Sequence, residues 1–371
     1  MWNRIGSITR RMAIKLGTVL LGLTLAGAVH AQTCTYAADN PYGNGPFNAV
    51  VPLNITALTI GRDVPDGTVL YRQTIATQGS YRVYCPAAVT STTTNRWLPV
   101  TPRPLSSWNS GTYAGKTYET GVPGIGVAVF WASQVYPVKS AGSNTGNLTY
   151  TLPSQFDYVV IKTGPVSPGV ISGANLPTAQ YDFGATGSEL TVANTRFTGS
   201  LRIVSQTCTT PDVTVDLGTY KVSDFKGAGS VTPFKNFNIQ LQNCPAFYGR
   251  SASLTNTDSA TGWVESGRTI NPNVLAFSLT PTTDIISAYP GTVGLSPTSS
   301  GPPAATGIGV QVATRIIYAP FNTLIGSGIT PTAVDGASYS IPLQAHYIQT
   351  GAAAPTPGPA NTSMMFTINY Q

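Results

Sequence analysis

The chain has 371 residues, of which 20 are basic and 14 acidic, so its formal net charge is +6 although only 9% of its residues are charged. Four of the basic residues lie in the first 31 positions, which leaves 16 basic and 14 acidic residues and a net charge of +2 for the rest. This balance gives no support for binding to nucleic acid or to an anionic membrane surface, since both need a large excess of positive charge.

The N-terminal segment has the pattern of a secretory signal peptide. Its basic start consists of Arg4, Arg10, Arg11 and Lys15. A mostly apolar run follows from Leu16 to Val29, and residues 29–31 offer small or β-branched side chains at the positions that a signal peptidase reads. The pattern predicts a signal peptide over residues 1–31, with cleavage before Gln32. The alternative is a membrane anchor, but the run is short for a bilayer span, which needs about 20 residues.

Four cysteines remain after this segment: Cys34, Cys85, Cys208 and Cys244. In an exported protein, four cysteines predict two disulfides. Three pairings are possible, and Cys34–Cys85 with Cys208–Cys244 is favoured because each bond then lies within one half of the chain. The alternative is a zinc site, which is disfavoured because the cysteines are far apart in sequence and histidine is nearly absent. No metal site is therefore predicted.

Side chains suited to catalysis are scarce. His346 is the only histidine after the signal segment, so both Ser-His-Asp and Cys-His chemistry would depend on it. It lies in the alternating segment Tyr339–Tyr347, which is typical of a sheet residue. A glycosidase would need two carboxylates roughly 5 to 10 Å apart, and the acids to examine are Glu119, Asp157, Asp182 and Glu189. The sequence predicts that the chain is not an enzyme and needs no cofactor.

Short runs of β-branched and aromatic residues recur between clusters of Gly, Pro, Ser, Thr and Asn. Examples are Thr68–Tyr71, Tyr81–Tyr84, Val127–Phe130 and Tyr158–Ile161. Because hardly any segment has a 3.6-residue apolar stripe, the pattern predicts an all-β fold. The length predicts two tandem β-sandwich domains, over residues 32–195 and 196–371. The boundary is placed where Thr195–Cys208 has the pattern of an opening strand.

The end of the chain has a period of two. Apolar or small residues on one side are Ala360, Thr362, Met364, Phe366, Ile368 and Tyr370, and they alternate with mostly polar residues. This alternation predicts a last strand with one face in the core.

Several segments of the C-terminal half together carry a family resemblance. In chain order they are Cys208, Val213–Tyr220, whose pattern predicts a strand, Phe237–Cys244, Tyr339–Tyr347 and Phe366–Gln371. Residues 196–371 thereby resemble a chaperone–usher pilin domain. The resemblance implies an incomplete immunoglobulin-like sandwich that lacks its last strand. It also implies three partners: a periplasmic chaperone that lends a strand, an outer-membrane usher, and an adjacent pilus subunit whose strand replaces that of the chaperone.

Gly358 is fourteenth from the end and Tyr370 is penultimate, and both resemble the terminal motif that pilins present to their chaperone. The resemblance therefore implies a donor-strand groove and chaperone-binding surface formed by Gly358, Met364, Phe366, Ile368 and Tyr370.

Two segments of the N-terminal half, Leu58–Tyr71 and Tyr118–Gly126, are similar to the first domains of type 3 and related fimbrial adhesins. A pilin would have a short donor extension before its first cysteine, whereas this chain has a second domain there. A subunit that accepts a strand but lends none lies at the end of a fibre. The resemblance thus implies an adhesin at the tip of a fimbrium on the cell surface, which binds a host glycan or a matrix protein. The alternative is a fibre initiator or minor structural pilus subunit without a receptor.

Carbohydrate sites often combine aromatic faces with polar groups. The candidates with this character in or near long polar loops are Tyr42, Trp97, Trp108, Asn109 and Tyr113, and Arg96 and Arg103 would add a cationic rim. The alternative is that these aromatic side chains pack against their own loops.

Overall fold

A computed structural model describes residues 33–153 and 155–371, so the signal peptide predicted over residues 1–31 lies outside the described residues. The described chain is all-β, as predicted, with 25 strands and three short 3₁₀ helices, Gly111–Tyr113, Gly173–Asn175 and Val222–Asp224. Within these residues, none of the helices has the length and hydropathy that crossing a bilayer requires.

Sixteen strands lie before residue 205. They are β1 Thr35–Tyr36, β2 Phe47–Pro52, β3 Ala57–Thr59, β4 Val69–Ala76, β5 Tyr81–Cys85, β6 Ser91–Val100, β7 Tyr118–Glu119, β8 Ile125–Trp131, β9 Gln134–Val135, β10 Val138–Ser143, β11 Leu148–Leu152, β12 Gln155–Lys162, β13 Gly169–Ser172, β14 Thr178–Ala185, β15 Ser188–Thr198 and β16 Ser200–Val204.

Nine strands follow. They are β17 Lys235–Cys244, β18 Ser251–Ser259, β19 Gly262–Asn271, β20 Leu275–Pro281, β21 Thr292–Val293, β22 Ile308–Ala313, β23 Ile325–Gly326, β24 Ala337–Gln349 and β25 Met364–Tyr370.

The strands of the first half form four sheets, and their buried apolar side chains group into one large and two smaller clusters. Their orders are β1-β5-β11, β10-β6-β14-β15-β2 and β13-β16-β3, with β4-β12-β8-β7 as part of a seven-stranded sheet. Alternation places one face of each long strand inward, and residues such as Leu58, Ile125 and Ile171 are fully buried. The Cys34–Cys85 disulfide is formed as predicted and joins the start of this half to the end of β5.

Two facing sheets form the second half. Their orders are β17-β24-β22-β21 and β23-β20-β25, and the apolar side chains between them form a separate core around Phe277, Leu241 and Ile341. The predicted Cys208–Cys244 disulfide is present at the end of β17. Tyr339–Tyr347, which the sequence predicted as a sheet segment, lies in β24, and Phe237–Cys244 lies in β17.

The hairpin β18–β19 leaves the second half and joins a sheet of the first. Strand β18 pairs in parallel with β4, from Ala252 opposite Tyr71 to Thr257 opposite Ala76. Ala252 and Leu254 belong to the core of the first half. The sequence did not predict this pairing, because a pattern of alternation does not specify which strand is the neighbour.

Pairing with the first half also continues beyond residue 195. Strand β15 runs through this position and pairs with β14 and β2, and β16 pairs with β13 and β3. The predicted opening strand of the second unit exists as β16, but its Leu201 and Ile203 are buried in the core of the first half. The two-domain division near residue 195 stays a prediction.

Candidate functional site: a groove along the last strand

Strand β25 has one paired and one unpaired edge among the described residues, since its sheet places it outermost next to β20. Val274 and Gln371 exchange two backbone hydrogen bonds, and Ser363 accepts one from Thr282. Because antiparallel hydrogen bonds alternate, the residues 365, 367 and 369 bond to β20. The backbone N–H and C=O groups of Met364, Phe366, Ile368 and Tyr370 therefore point to the unpaired edge.

The segment Val213–Leu217 forms the opposite wall of the groove. Val213 and Val215 are half-buried and Leu217 is buried, whereas Thr214 and Asp216 between them are exposed. The sequence predicted a strand over Val213–Tyr220, and this prediction is wrong: these residues contain no strand. The physical reason is that an extended segment becomes a strand only by pairing, and no described strand lies beside this one.

The floor between the two walls is apolar. Side chains from both sheets of the second half line a cavity of about 290 Å³, and they include Ile239, Leu279, Val310 and Leu343. Met364 and Phe366 line the same cavity and are only half-buried, so the core of the second half is open to solvent at this place.

Two further cavities continue the groove. One of about 280 Å³ shares Phe366 with the central cavity and is lined by Ile368 and Tyr370. The other, of about 540 Å³, shares Tyr347 with the central cavity and is lined by Gly358. The central cavity and the cavity at Ile368 extend along β25, and the five groove residues predicted from the sequence each line one of the three cavities.

Residues of the first half close one end of this groove. Arg62 donates through Nη2 to the carbonyl of Ile368 at 2.9 Å, and Asp63 accepts through Oδ2 from the backbone N–H of Tyr370 at 2.9 Å. These hydrogen bonds engage backbone groups at the unpaired edge of β25, which are then not available to a neighbouring strand. The sequence did not predict this contact, because its residues lie far apart along the chain.

The side chain of Tyr370 holds the same end of β25 in place from within the second half. Its hydroxyl oxygen accepts a hydrogen bond from the backbone N–H of Cys208 at 3.1 Å, next to the second disulfide. Burial raises the pKa of the Tyr370 phenol above its ordinary value, although the Cys208 and Arg62 contacts act in the opposite direction. The phenol is thus neutral and serves as a structural anchor for β25.

The groove combines two unpaired backbone edges with an exposed apolar floor. An edge of this kind can add a strand, and the backbone hydrogen bonds then supply affinity while alternate side chains enter the apolar floor. Left open, it promotes aggregation. The groove thus has the two features that strand addition uses, an unpaired backbone edge and an apolar floor.

The aromatic candidates for receptor binding do not converge on one surface. Tyr42 packs on Phe47 and Tyr81, and Tyr113 is buried against Phe130, so both stabilise their own surroundings. Trp97 in β6 donates a hydrogen bond through Nε1 to the Asp182 carboxylate at 2.6 Å.

Trp108 lies on Gly67, which has φ = +87°, and its indole N–H is enclosed without a partner among the described residues. The neighbouring Asn109 is exposed. A cavity within the first half, lined by Tyr136 and Tyr181, has a volume of about 10 Å³. Such a volume admits about one water molecule, so this cavity is too small for a receptor.

Arg103 is exposed beside Gly121, whereas Arg96 is buried. The two arginines therefore do not form the predicted cationic rim together, because the Arg96 guanidinium packs between the rings of Trp131 and Tyr181.

His346 has structural contacts in the second half. Its ring stacks on Phe234, and its two nitrogens lie 3.0 Å from the Thr232 carbonyl and 2.8 Å from Gln311 Oε1. Burial lowers the pKa of His346.

Three of the four acids examined for glycosidase chemistry have local partners. Asp157 contacts Arg72 and Thr74, Asp182 accepts from Trp97 and Gln180, and Glu189 accepts from the backbone of Gly187. Glu119 lies in β7. Within the described residues, no three His, Cys, Asp or Glu side chains are grouped as metal ligands would be.

Comparison with known proteins found similar chains for both the second half and the full length. A family model described as fimbrial protein matches residues 195–371. The A chain of a type-1 fimbrial protein of Escherichia coli is 30% identical over 163 residues, which are 43% of this chain and 71% of the relative. A fimbria adhesin protein of Klebsiella pneumoniae is 23% identical over 360 residues, 95% of this chain and 98% of the relative. Among solved structures, the CupB6 tip adhesin of Pseudomonas aeruginosa is 17% identical, with 90% of this chain and 93% of that chain covered and a TM-score of 0.34.

Proposed function

This chain belongs to the family of fimbrial proteins, and from that premise we propose that it is a tip adhesin, which joins the fibre by accepting a strand along β25. As a fimbrial protein it is exported and displayed in fimbriae on the cell surface. The observation that carries the proposal is the unpaired edge of β25 beside an open apolar groove.

A single added strand would satisfy both walls of the groove. It would pair on one side with the outward-facing backbone groups of β25, and on the other side with the extended segment Val213–Leu217. Its alternate side chains would cover the apolar floor, which removes hydrophobic surface from water. A periplasmic chaperone supplies this strand first in our proposal, an outer-membrane usher follows, and an adjacent pilus subunit supplies it in the fibre.

The proposed position at the tip is supported by the segment that precedes the second half, which contains β15 and β16. A structural subunit would hold a free donor strand there, but here β15 and β16 are already paired within the sheets of the first half. This segment is therefore not available to complete another subunit. The full-length similarity to a fimbria adhesin protein supports a receptor-binding role for the first half, with a host glycan or matrix protein as receptor.

The experiment that tests strand acceptance is substitution of one wall residue. Phe366→Glu places a carboxylate against the apolar floor, whereas Met365→Glu changes the next residue, which is 61% exposed on the opposite face. We expect Phe366→Glu to reduce recovery of the soluble chaperone complex by about tenfold, because an unpaired buried charge is costly. Met365→Glu should behave like the unchanged chain. Equal recovery of both variants, or a full chain that is a stable monomer without any chaperone, would refute strand acceptance.

Receptor binding is tested separately from fibre assembly. The chaperone complex of the mature chain is applied to surfaces coated with glycans or with matrix proteins, and retention is measured. Retention supports the adhesin role. Normal incorporation into fibres without retention on any such surface would instead favour the fibre initiator.

A further inference from the structure

Arg96 lies in β6 with its guanidinium enclosed by two aromatic rings. Its Cζ atom lies 3.6 Å from the ring centre of Trp131 and 4.1 Å from that of Tyr181. The residue is only 7% exposed. Tyr181 faces Arg96 directly across the pairing of β14 with β6, and Trp131 is the last residue of β8.

No side chain or carbonyl of residues 33–153 and 155–371 forms a hydrogen bond or ion pair with the Arg96 guanidinium. Cation–π contact stabilises the charge. It leaves the five N–H donors of the guanidinium without acceptors, however, and a buried charge of this kind is normally both paired and hydrogen-bonded. Arg96 is thus an exception to a strong rule.

The edge of the guanidinium is accessible from outside. Its nitrogens are not among the fully enclosed, unpartnered polar atoms of the described residues. Trp131 is half-buried and precedes a turn whose residues Ala132 and Ser133 are exposed and have positive φ. The two rings therefore cover the faces of the guanidinium, and its hydrogen-bonding edge is not fully enclosed.

We propose that Arg96, between Trp131 and Tyr181, binds the carboxylate of an acidic sugar. The inference rests on the proposed receptor-binding role of the first half and names its ligand class. A guanidinium held in a fixed plane presents two parallel N–H donors to one carboxylate, which is the geometry of its strongest hydrogen bonds. The aromatic side chains around it supply apolar faces for a sugar ring.

The surroundings favour a single acidic ring over a polyanion or an acidic peptide. The chain after the signal segment has a net charge of only +2, which does not attract a polyanion. The cavity between Tyr136 and Tyr181 admits about one water molecule, so no channel for a peptide side chain continues inward. One carboxylate on a compact ring matches one guanidinium.

The test is a titration of the mature chain, in its chaperone complex, with sodium glucuronate, sodium N-acetylneuraminate and glucose. Binding is followed by calorimetry and by tryptophan fluorescence, to which Trp131 contributes together with Trp97, Trp108 and Trp263. Arg96→Lys keeps the charge but removes the planar fork, and Arg96→Gln removes the charge. The matched control is Arg196→Lys, because Arg196 is an exposed arginine of β15 in the same half. Circular dichroism and thermal unfolding establish that each variant is folded.

We expect at least one acidic sugar to bind and glucose not to bind. Arg96→Lys should weaken binding by about tenfold or more, Arg96→Gln should abolish it, and Arg196→Lys should leave it unchanged. Binding that is unaffected in a folded Arg96→Lys chain would overturn the proposal, as would binding of a glutamate-rich peptide but neither acidic sugar. If the mature chain adheres to a receptor surface and acidic sugars do not compete, this inference fails while the adhesin role stands. If the chain adheres to no surface, the proposed function itself fails.

Discussion

Gly61 brings the first half into direct backbone contact with the end of β25. A Cβ atom at this position would lie 2.0 Å from the carbonyl oxygen of Tyr370, a separation that real side chains do not have. The neighbouring Arg62 and Asp63 can reach the outward backbone groups of Ile368 and Tyr370 only because the chain approaches so closely. Glycine is needed here for space, and the contact fixes where the open edge of β25 ends.

We predict that Gly61→Ala destabilises the chaperone-bound chain by about 2 kcal/mol, because a backbone oxygen cannot move aside as a flexible side chain can. The measurement is thermal or urea-induced unfolding. The matched control is Gly45→Ala, since a Cβ at Gly45 would meet no atom within 4 Å. Equal stability of the two variants would show that the loop at Gly61 is free to move away from β25.

The sequence predicted the features of single residues that follow from a local pattern, but it did not predict contacts between residues far apart along the chain. The alternation of Met364, Phe366, Ile368 and Tyr370 correctly predicted one face of a strand. The Arg62 contact with Ile368 joins residues 306 positions apart, and no sequence pattern specifies such a pair. The enclosure of Arg96 is similar, because Trp131 and Tyr181 reach it from two other strands.

The hairpin β18–β19 is the element that joins the two halves most extensively. Trp263 donates through Nε1 to the Val50 carbonyl at 2.9 Å and packs on Phe47. Asn256 accepts from Gln73 at 2.7 Å in a fully buried position. The hairpin thus covers the edge of β4, which would otherwise be unpaired.

We predict that Trp263→Ala lowers the free energy of unfolding by about 2 kcal/mol, since it removes half-buried aromatic surface and one hydrogen bond. Val264→Ala is the control, because Val264 is 52% exposed on the same strand. Amide hydrogen exchange should also become faster in β18 and β4 for Trp263→Ala alone. Unchanged exchange in β4 would mean that the hairpin does not stabilise the first half.

The segment Val213–Leu217 shows the limit of pattern reasoning for an element. Its alternation is that of a strand, and its burial alternates accordingly. Secondary structure of this kind also requires a partner, which the sequence of one chain does not specify. The prediction failed at the place where we propose that another protein supplies the neighbouring strand.

At the scale of the molecule, the pairing of β16 predicts how the first half can be isolated. Leu201 and Ile203 are buried in its core, so a fragment of residues 32–195 lacks part of the structure that it needs. We predict that residues 32–207 give more soluble protein and a higher midpoint of thermal unfolding than residues 32–195. Both fragments lack β18, so their difference isolates the contribution of β16. Equal yields and midpoints would place the end of the folded unit at residue 195.

The seven-stranded sheet has a mechanical consequence for a protein that is pulled from both ends. Tension between the groove and the first half would not pass only through the chain between β16 and Cys208. The force would also act on the backbone hydrogen bonds between the parallel strands β18 and β4, which are paired from Ala252 to Thr257. Hydrogen bonds loaded side by side share the force and break together, whereas a linker extends freely. For the proposed tip adhesin, we therefore expect the pairing of β18 with β4 to oppose separation of the two halves under tension.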